Sequence, residues 1–172
     1  MTFIKSIVSI AALSLSLSAF AGTTVTGEIG SQLSQPAGQR NVVSEVRIQA
    51  DALGVQVSNN SFISRAEVDY NIPLIKYVSV AVGLGDVING TTSHLTYSIE
   101  PILSVPVTDK IALSAAYKFR DATKSSLLDE TRTATLQATY KLTDAIAINI
   151  KGEQVRGSYI QNVALAGVSY SF

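Results

Sequence analysis

The sequence predicts an all-β protein, a closed antiparallel barrel of ten strands that crosses a membrane. Apolar residues recur at every second position over most of the chain, which is the period of a strand with one apolar face and one polar face. The chain of 172 residues is 47% hydrophobic, yet beyond residue 21 no apolar run approaches the roughly 20 residues of a membrane helix. Alternating strands explain both facts, because only half of their side chains meet lipid.

The first 21 residues have the composition of a signal peptide. Lys5 provides a positive charge, residues 7–17 form an apolar run interrupted only by serines, and Ala19-Phe20-Ala21 is typical of a cleavage site. An N-terminal membrane anchor is the alternative, but the apolar run is shorter than a spanning helix requires. We therefore expect residues 1–21 to be a signal peptide and residues 22–172 to form the barrel domain.

Charge and cysteine content exclude several other classes of protein. The chain has 13 basic and 13 acidic residues; removal of Lys5 with the signal peptide leaves 12 basic and 13 acidic residues, a net charge of −1. That balance gives no support for nucleic-acid binding. The absence of cysteine excludes disulfides and a thiol-linked lipid anchor. With one histidine and no cysteine, the sequence predicts no metal site and no cofactor.

Five strands are predicted in the first half of the chain. The fourth keeps its period of two for longer than an amphipathic helix would. The third is the shortest, so an alternative with eight strands, in which residues 34–61 form one long loop, stays open. In the fifth, Gly83 and Gly85 face inward, where they leave space or let the wall curve. The five segments are residues 23–33, 45–52, 55–58, 62–72 and 78–85.

Five further strands are predicted in the second half. Pro101 falls in the middle of the sixth strand, where it removes a ladder hydrogen bond, so we expect a β-bulge there. The loop at residues 121–131 is the longest in this half. The strands are residues 94–105, 111–120, 133–142, 146–153 and 159–172.

The last strand ends on an aromatic residue that is in phase with its apolar face. Val168, Tyr170 and Phe172 all lie on that face. This ending resembles the assembly signal of bacterial outer-membrane β-barrels. The resemblance implies an outer-membrane protein that the barrel-assembly machinery inserts through its C-terminal strand, with outer-membrane lipid around it. We expect the barrel to be monomeric.

The turns and the aromatic residues agree with that architecture. An even number of strands places both termini on the periplasmic side, and short turns at residues 73–76, 108–109 and 143–144 alternate with longer polar loops. Outward aromatic residues near both strand ends predict two interfacial girdles. A soluble β-sandwich would also alternate, but the signal peptide and the terminal Phe172 favour the membrane barrel.

Strict alternation places thirteen charged residues on the inner wall. A barrel of about eight strands is only wide enough for side chains to fill it, and unpaired buried ions cost several kcal/mol each. We interpret these charges as a salt-bridged plug that resembles the interior of the small OmpA-type membrane domain. A small non-specific pore is the alternative, favoured by small inner residues such as Ala81 and Gly83. The thirteen residues are Glu28, Glu45, Arg47, Asp51, Arg65, Glu67, Asp69, Glu100, Lys118, Arg120, Lys141, Lys151 and Glu153.

An outer-membrane enzyme is a further alternative. His94 shares an inward face with Thr96, Ser98 and Glu100, so a base and hydroxyl groups lie on one strand. Such neighbours are about 7 Å apart along the strand, too far for a direct hydrogen bond. The patterns of lipid A deacylases, palmitoyl transferases and omptin proteases are absent around His94. We therefore expect no catalytic residue.

A surface-binding function is also weakly supported, because the predicted outer loops are short and polar. The strand rhythm and the endings Tyr-Lys-Phe-Arg, at residues 117–120, and Tyr-Ser-Phe, at residues 170–172, are similar to those of oligogalacturonate-type porins. Those porins line their pores with basic residues, whereas the lumen predicted here mixes acids and bases. The sequence thus favours a structural barrel or a small non-specific pore.

Overall fold

The computed structural model describes residues 22–33, 41–60, 63–89, 92–123, 130–157 and 160–172. Within these ranges no helix is long and apolar enough to cross a membrane. The predicted signal peptide lies outside the described residues. The ten strands are β1 (Thr23–Gln32), β2 (Val42–Ala50), β3 (Leu53–Asn59), β4 (Ile63–Ile75), β5 (Val78–Asn89), β6 (Thr92–Pro106), β7 (Ile111–Ala122), β8 (Thr131–Lys141), β9 (Ile146–Gly157) and β10 (Gln161–Ser171).

The ten strands form one closed antiparallel barrel. Each strand pairs with the next one along the chain, and β10 pairs with β1, from Thr24 opposite Ser171 to Gln32 opposite Val163. Closure leaves no strand edge, which would cost several kcal/mol for each unpaired backbone group in hydrocarbon. The predicted fold class is confirmed. The eight-stranded alternative is wrong, because β3 pairs along its whole length with β2, from Ser44–Asn59 to Ala50–Leu53.

Tight turns connect the strands at the end of the barrel where β1 begins and β10 ends, and these two strand ends are the termini of the barrel. In two of them a threonine hydroxyl accepts backbone N–H groups: Thr108 Oγ1 accepts from Ile111 at 3.0 Å, and Thr143 Oγ1 accepts from Ile146 at 3.0 Å. Asp51, predicted on the inner wall, lies instead in the exposed turn between β2 and β3 with a φ of 50°. That prediction is wrong because strand alternation stops at the turn.

The expected β-bulge at Pro101 is absent, and the irregularity lies elsewhere. The β6–β7 register is the same before Pro101, with Ile99 opposite Phe119, and after it, with Ile102 opposite Ala116. The missing N–H therefore interrupts the ladder without an extra residue. The register shifts in β4 instead, between Pro73 and Ile75, next to the turn into β5.

The outer wall of the barrel is apolar, and the inside contains little apolar core. Large apolar side chains are exposed on all ten strands, whereas the buried apolar cluster found among the described residues contains Val43, Val163 and Leu165. An exposed apolar belt of this extent is stable in lipid rather than in water. A closed antiparallel barrel with such a belt is the outer-membrane architecture, and this chain is a small outer-membrane β-barrel.

Aromatic side chains on the outer wall fall into two groups. Tyr70, Tyr140 and Tyr170 are exposed toward the end that carries the termini, and Tyr97 and Tyr117 are exposed toward the opposite end. This placement suits interfacial anchoring at both membrane surfaces. The residues of the predicted assembly signal, Val168, Tyr170 and Phe172, are all exposed on the outer wall.

Candidate functional site in the barrel lumen

By the ion pairs of the described residues, ten inward charges form three groups, which we name the Lys151 cluster, the Glu67 cluster and the Arg47–Asp69 pair. Each group joins strands that are not neighbours in the barrel. Their members are Lys151, Glu28, Glu45 and Glu153; Glu67, Glu100, Lys118 and Arg120; and Arg47 with Asp69.

The Lys151 cluster holds three carboxylates around one ammonium group. Lys151 Nζ lies 2.6 Å from Glu28 Oε2, 2.7 Å from Glu45 Oε1 and 3.3 Å from Glu153 Oε1. Glu28 and Glu45 are direct partners in the β1–β2 register, an arrangement of like charges that is destabilising by itself. Lys151 therefore bridges two carboxylates that the register forces together and offsets part of their charge, and it connects β9 to β2 past β10 and β1.

The Glu67 cluster is balanced, with two acids and two bases. Lys118 Nζ donates to Glu67 Oε1 at 2.8 Å and lies 3.0 Å from Glu100 Oε2. Arg120 Nη2 donates to Glu67 Oε2 at 2.5 Å, and Ser98 Oγ donates to Oε1 at 3.0 Å. Both oxygens of Glu67, which is only 5% exposed, are thus hydrogen-bonded. The cluster connects β4 to β7 past β5 and β6.

The Arg47–Asp69 pair links β2 to β4. Arg47 Nη2 donates to Asp69 Oδ1 at 2.6 Å. The same guanidinium donates to Gln49 Oε1 at 2.9 Å and to Gln56 Oε1 at 3.2 Å. The side-chain amide oxygens therefore accept hydrogen bonds from guanidinium N–H groups that do not bind the carboxylate.

The buried acids are accommodated by glycines on neighbouring strands. Glu28 is the register partner of Gly167, Glu67 of Gly85, and Asp69 of both Gly54 and Gly83. A Cβ atom at Gly83 would lie 2.6 Å from Ser98 Oγ and 2.9 Å from Glu67 Oε1, and one at Gly54 would lie 2.6 Å from Asp69 Oδ1. Carboxylate side chains therefore occupy the space beside these glycines, so Gly83 leaves no free space at this level of the lumen.

A cavity of about 350 Å³ lies inside the barrel and is lined by residues of eight strands. It has room for about ten water molecules. The three acids on the glycine-bearing wall, Glu28, Glu67 and Asp69, do not line it. Its charged lining therefore consists of five bases and three acids: Arg47, Arg65, Lys118, Arg120, Lys151, Glu45, Glu100 and Glu153.

A neutral polar network lies toward the end of the barrel that carries the termini. Asn149 is 1% exposed; its Nδ2 donates to Ser169 Oγ at 2.5 Å, and its Oδ1 accepts from Thr139 Oγ1 at 2.9 Å. Ser169 in turn lies 2.8 Å from Thr26 Oγ1. The sequence analysis missed this network because alternation marks these residues only as inward and polar.

Arg65 and Lys141, which were also predicted on the inner wall, occupy different positions, and two residues near His94 take part in the Glu67 cluster. Arg65 lines the cavity, whereas Lys141 is exposed at the end of β8, where its side chain reaches solvent. Ser98 and Glu100 are engaged with Glu67 and Lys118, as described above. Among the described residues, no group of three histidine, cysteine or acidic side chains could hold a metal ion.

Comparison with known proteins finds similarity of fold alone. No protein-family model matches the sequence, and no curated protein matches it. The KdgM porin aligns over 87% of this chain and 99% of its own, with 14% identity and a TM-score of 0.49. The translocator domain of the autotransporter NalP from Neisseria meningitidis aligns over 99% of this chain and 96% of its own, with 14% identity and a TM-score of 0.47. The N-terminal barrel domain of Pseudomonas aeruginosa OprF aligns over 88% of this chain and 98% of its own, with 12% identity and a TM-score of 0.40.

Proposed function

We propose that this protein is a structural outer-membrane barrel whose lumen is closed by ion pairs between strands that are not neighbours in the wall. The observation that carries the proposal is the span of the two clusters: Lys151 connects β9 to β2, and Lys118 connects β7 to β4. Each contact crosses the lumen past two intervening strands. Such contacts resist deformation of the wall and occupy the space that a solute would need.

Burial makes these contacts costly to break. Loss of one partner from a buried ion pair leaves an uncompensated charge, which lowers the free energy of unfolding by about 3–5 kcal/mol. The four hydrogen bonds of Glu67, from Lys118, Ser98 and two nitrogens of Arg120, hold the carboxylate in one position. A lumen closed in this way is stable in its closed form.

We propose no enzymatic activity for the lumen. A catalytic base and nucleophile must lie within hydrogen-bond reach of one another. The hydroxyl of Ser98 and the carboxylate of Glu100 already serve the Glu67 cluster, so neither supports a reaction centred on His94.

A small pore is the second candidate, and the 350 Å³ cavity favours it. Five bases against three acids in the lining would make such a pore prefer anions. The two candidates differ in one measurable property, since a closed barrel does not conduct and a pore does.

Single-channel recording of the mature protein in a planar bilayer tests the proposal. Folding is first verified by the heat-dependent shift in gel mobility. We expect the wild type to be silent and Glu67→Gln to open irregularly, because that change removes the carboxylate that holds Lys118 and Arg120. Glu130→Gln is the matched control, since Glu130 is 62% exposed and lies outside the three groups; it should stay silent. Regular openings of the wild type would establish the pore instead.

We also propose that β10 is the strand recognised by the barrel-assembly machinery and that the barrel is monomeric. Tyr170 and Phe172 present their rings outward with centroids 4.8 Å apart. Phe172→Ala should slow insertion into vesicles that contain the machinery and leave spontaneous insertion into detergent unchanged. Phe119→Ala, which removes a comparable exposed ring elsewhere on the wall, should affect neither rate. Equal rates for all three proteins would contradict the proposal.

A further inference from the structure

The outer wall of β8 and β9 carries two arginines at the end opposite to the termini. Arg132 and Arg156 are direct partners in the β8–β9 register, and both side chains are exposed. Arg132 is 57% exposed and its Nη2 lies 3.5 Å from Glu130 Oε1. Alternation directs both arginines away from the lumen, toward the membrane surface.

The wall next to these arginines is also polar. Gln154 and Asn162 are register partners on β9 and β10, and Gln154 Nε2 donates to Asn162 Oδ1 at 3.2 Å in an exposed position. Side-chain amide and guanidinium groups are both disfavoured in hydrocarbon. This part of the outer wall therefore lies at the level of the lipid head groups, with Phe119, the β7 partner of Arg132, beside it.

Two arginines placed directly opposite each other repel, and the contact of Arg132 with the Glu130 carboxylate is long, at 3.5 Å, and exposed. A further anion between the two guanidinium groups would relieve the repulsion. The planar guanidinium group binds phosphate through two parallel N–H donors. An anion held here must approach from the membrane side, because the side chains point outward from the barrel. The occupant that meets both conditions is the phosphate group of a lipid.

Other strands at the same end have the opposite charge on their outer faces. Asp86 on β5 accepts a hydrogen bond from Ser93 Oγ at 2.6 Å, and Asp121 on β7 accepts one from Tyr97 at 3.1 Å. A lipid phosphate is repelled by these carboxylates and attracted to the guanidinium groups of Arg132 and Arg156. The arginine pair is thus the favourable position for an anionic head group on this part of the wall.

We propose that Arg132 and Arg156, with Gln154 and Asn162, form a binding site for the phosphate of an outer-leaflet lipid. The test uses the mature protein in phosphatidylcholine vesicles with or without bisphosphorylated lipid A, and it measures the midpoint of heat unfolding by gel mobility. Binding to the folded state should raise the midpoint of the wild type. The rise should be lost in the double variant Arg132→Gln/Arg156→Gln and should be at least as large in Glu130→Gln, which removes the carboxylate next to Arg132.

Matched controls separate this site from general charge effects. The double variant Lys76→Gln/Lys110→Gln removes the same net charge at the two turns near the termini and should keep the full rise. Dephosphorylated lipid A, and inorganic phosphate added to phosphatidylcholine vesicles, should give no rise. The proposal is overturned if the arginine variant keeps the full rise, if dephosphorylated lipid A acts equally well, or if inorganic phosphate alone reproduces the effect.

Discussion

The Lys151 cluster and the Glu67 cluster both connect non-neighbouring strands, but they differ in charge balance. Each joins three strands inside the lumen, but the first has three acids for one base and the second has two of each. In the Glu67 cluster, either base can stabilise Glu67 when the other is removed. In the Lys151 cluster no second base is present among the contacts described. Charge balance therefore decides how much the barrel depends on a single residue.

The largest effect is expected for Lys151→Met. The change leaves Glu28, Glu45 and Glu153 facing one another without their common partner, so we expect a loss of about 3–5 kcal/mol in the free energy of unfolding. Urea unfolding in lipid vesicles measures it. Lys141→Met is the control, because Lys141 is exposed, and it should change the free energy by about 0.5 kcal/mol or less. Equal losses in both variants would contradict the role of Lys151.

Lys118→Met should be less damaging than Lys151→Met. Glu67 would keep its bonds from Arg120 and Ser98, so we expect a loss of about 1–3 kcal/mol. The same unfolding experiment compares the two lysines directly. A larger loss for Lys118 than for Lys151 would show that charge balance does not govern the two clusters.

A smaller effect is expected where a glycine accommodates a buried acid. Gly83→Ala would place a methyl group against Ser98 and the carboxylate of Glu67, at a cost of about 1–2 kcal/mol. Gly152→Ala is the matched control on the outer wall of β9, where a Cβ would have no atom within 4 Å. It should leave the unfolding free energy unchanged within about 0.5 kcal/mol. Equal effects at both glycines would mean that Glu67 adapts freely.

The smallest effect is expected for Glu153→Gln. It removes one of the excess negative charges of the Lys151 cluster and the longest of its three contacts, 3.3 Å. The free energy of unfolding should change by less than about 1 kcal/mol. A loss comparable to that of Lys151→Met, measured in the same way, would show that all three carboxylates are needed.

The strands and the inward positions of most charges could be predicted because a period of two depends only on local geometry. Arg47, Glu67 and Lys151 face inward for that reason alone. Asp51 departs from the pattern because it lies one residue beyond the end of β2. The β-bulge predicted at Pro101 is absent because the β6–β7 ladder tolerates the loss of one hydrogen bond without an extra residue in the strand.

Which charges meet could not be predicted from the sequence. Lys151 and Glu45 are separated by 106 residues, and their contact depends on closure of the barrel and on the register of three strand pairs. The association of glycines with buried acids has the same origin. Gly167 lies opposite Glu28 only once β10 has paired with β1, so the glycines alone suggested empty space.

A double-mutant cycle between Lys118 and Glu67 tests the central claim most directly. The free energy of unfolding in lipid vesicles is measured for the wild type, Lys118→Met, Glu67→Gln and the double variant. If the ion pair connects β7 to β4 across the lumen, the coupling energy should be at least about 1 kcal/mol. A coupling energy near zero would show that the two residues act independently and that ion pairs do not hold the lumen closed.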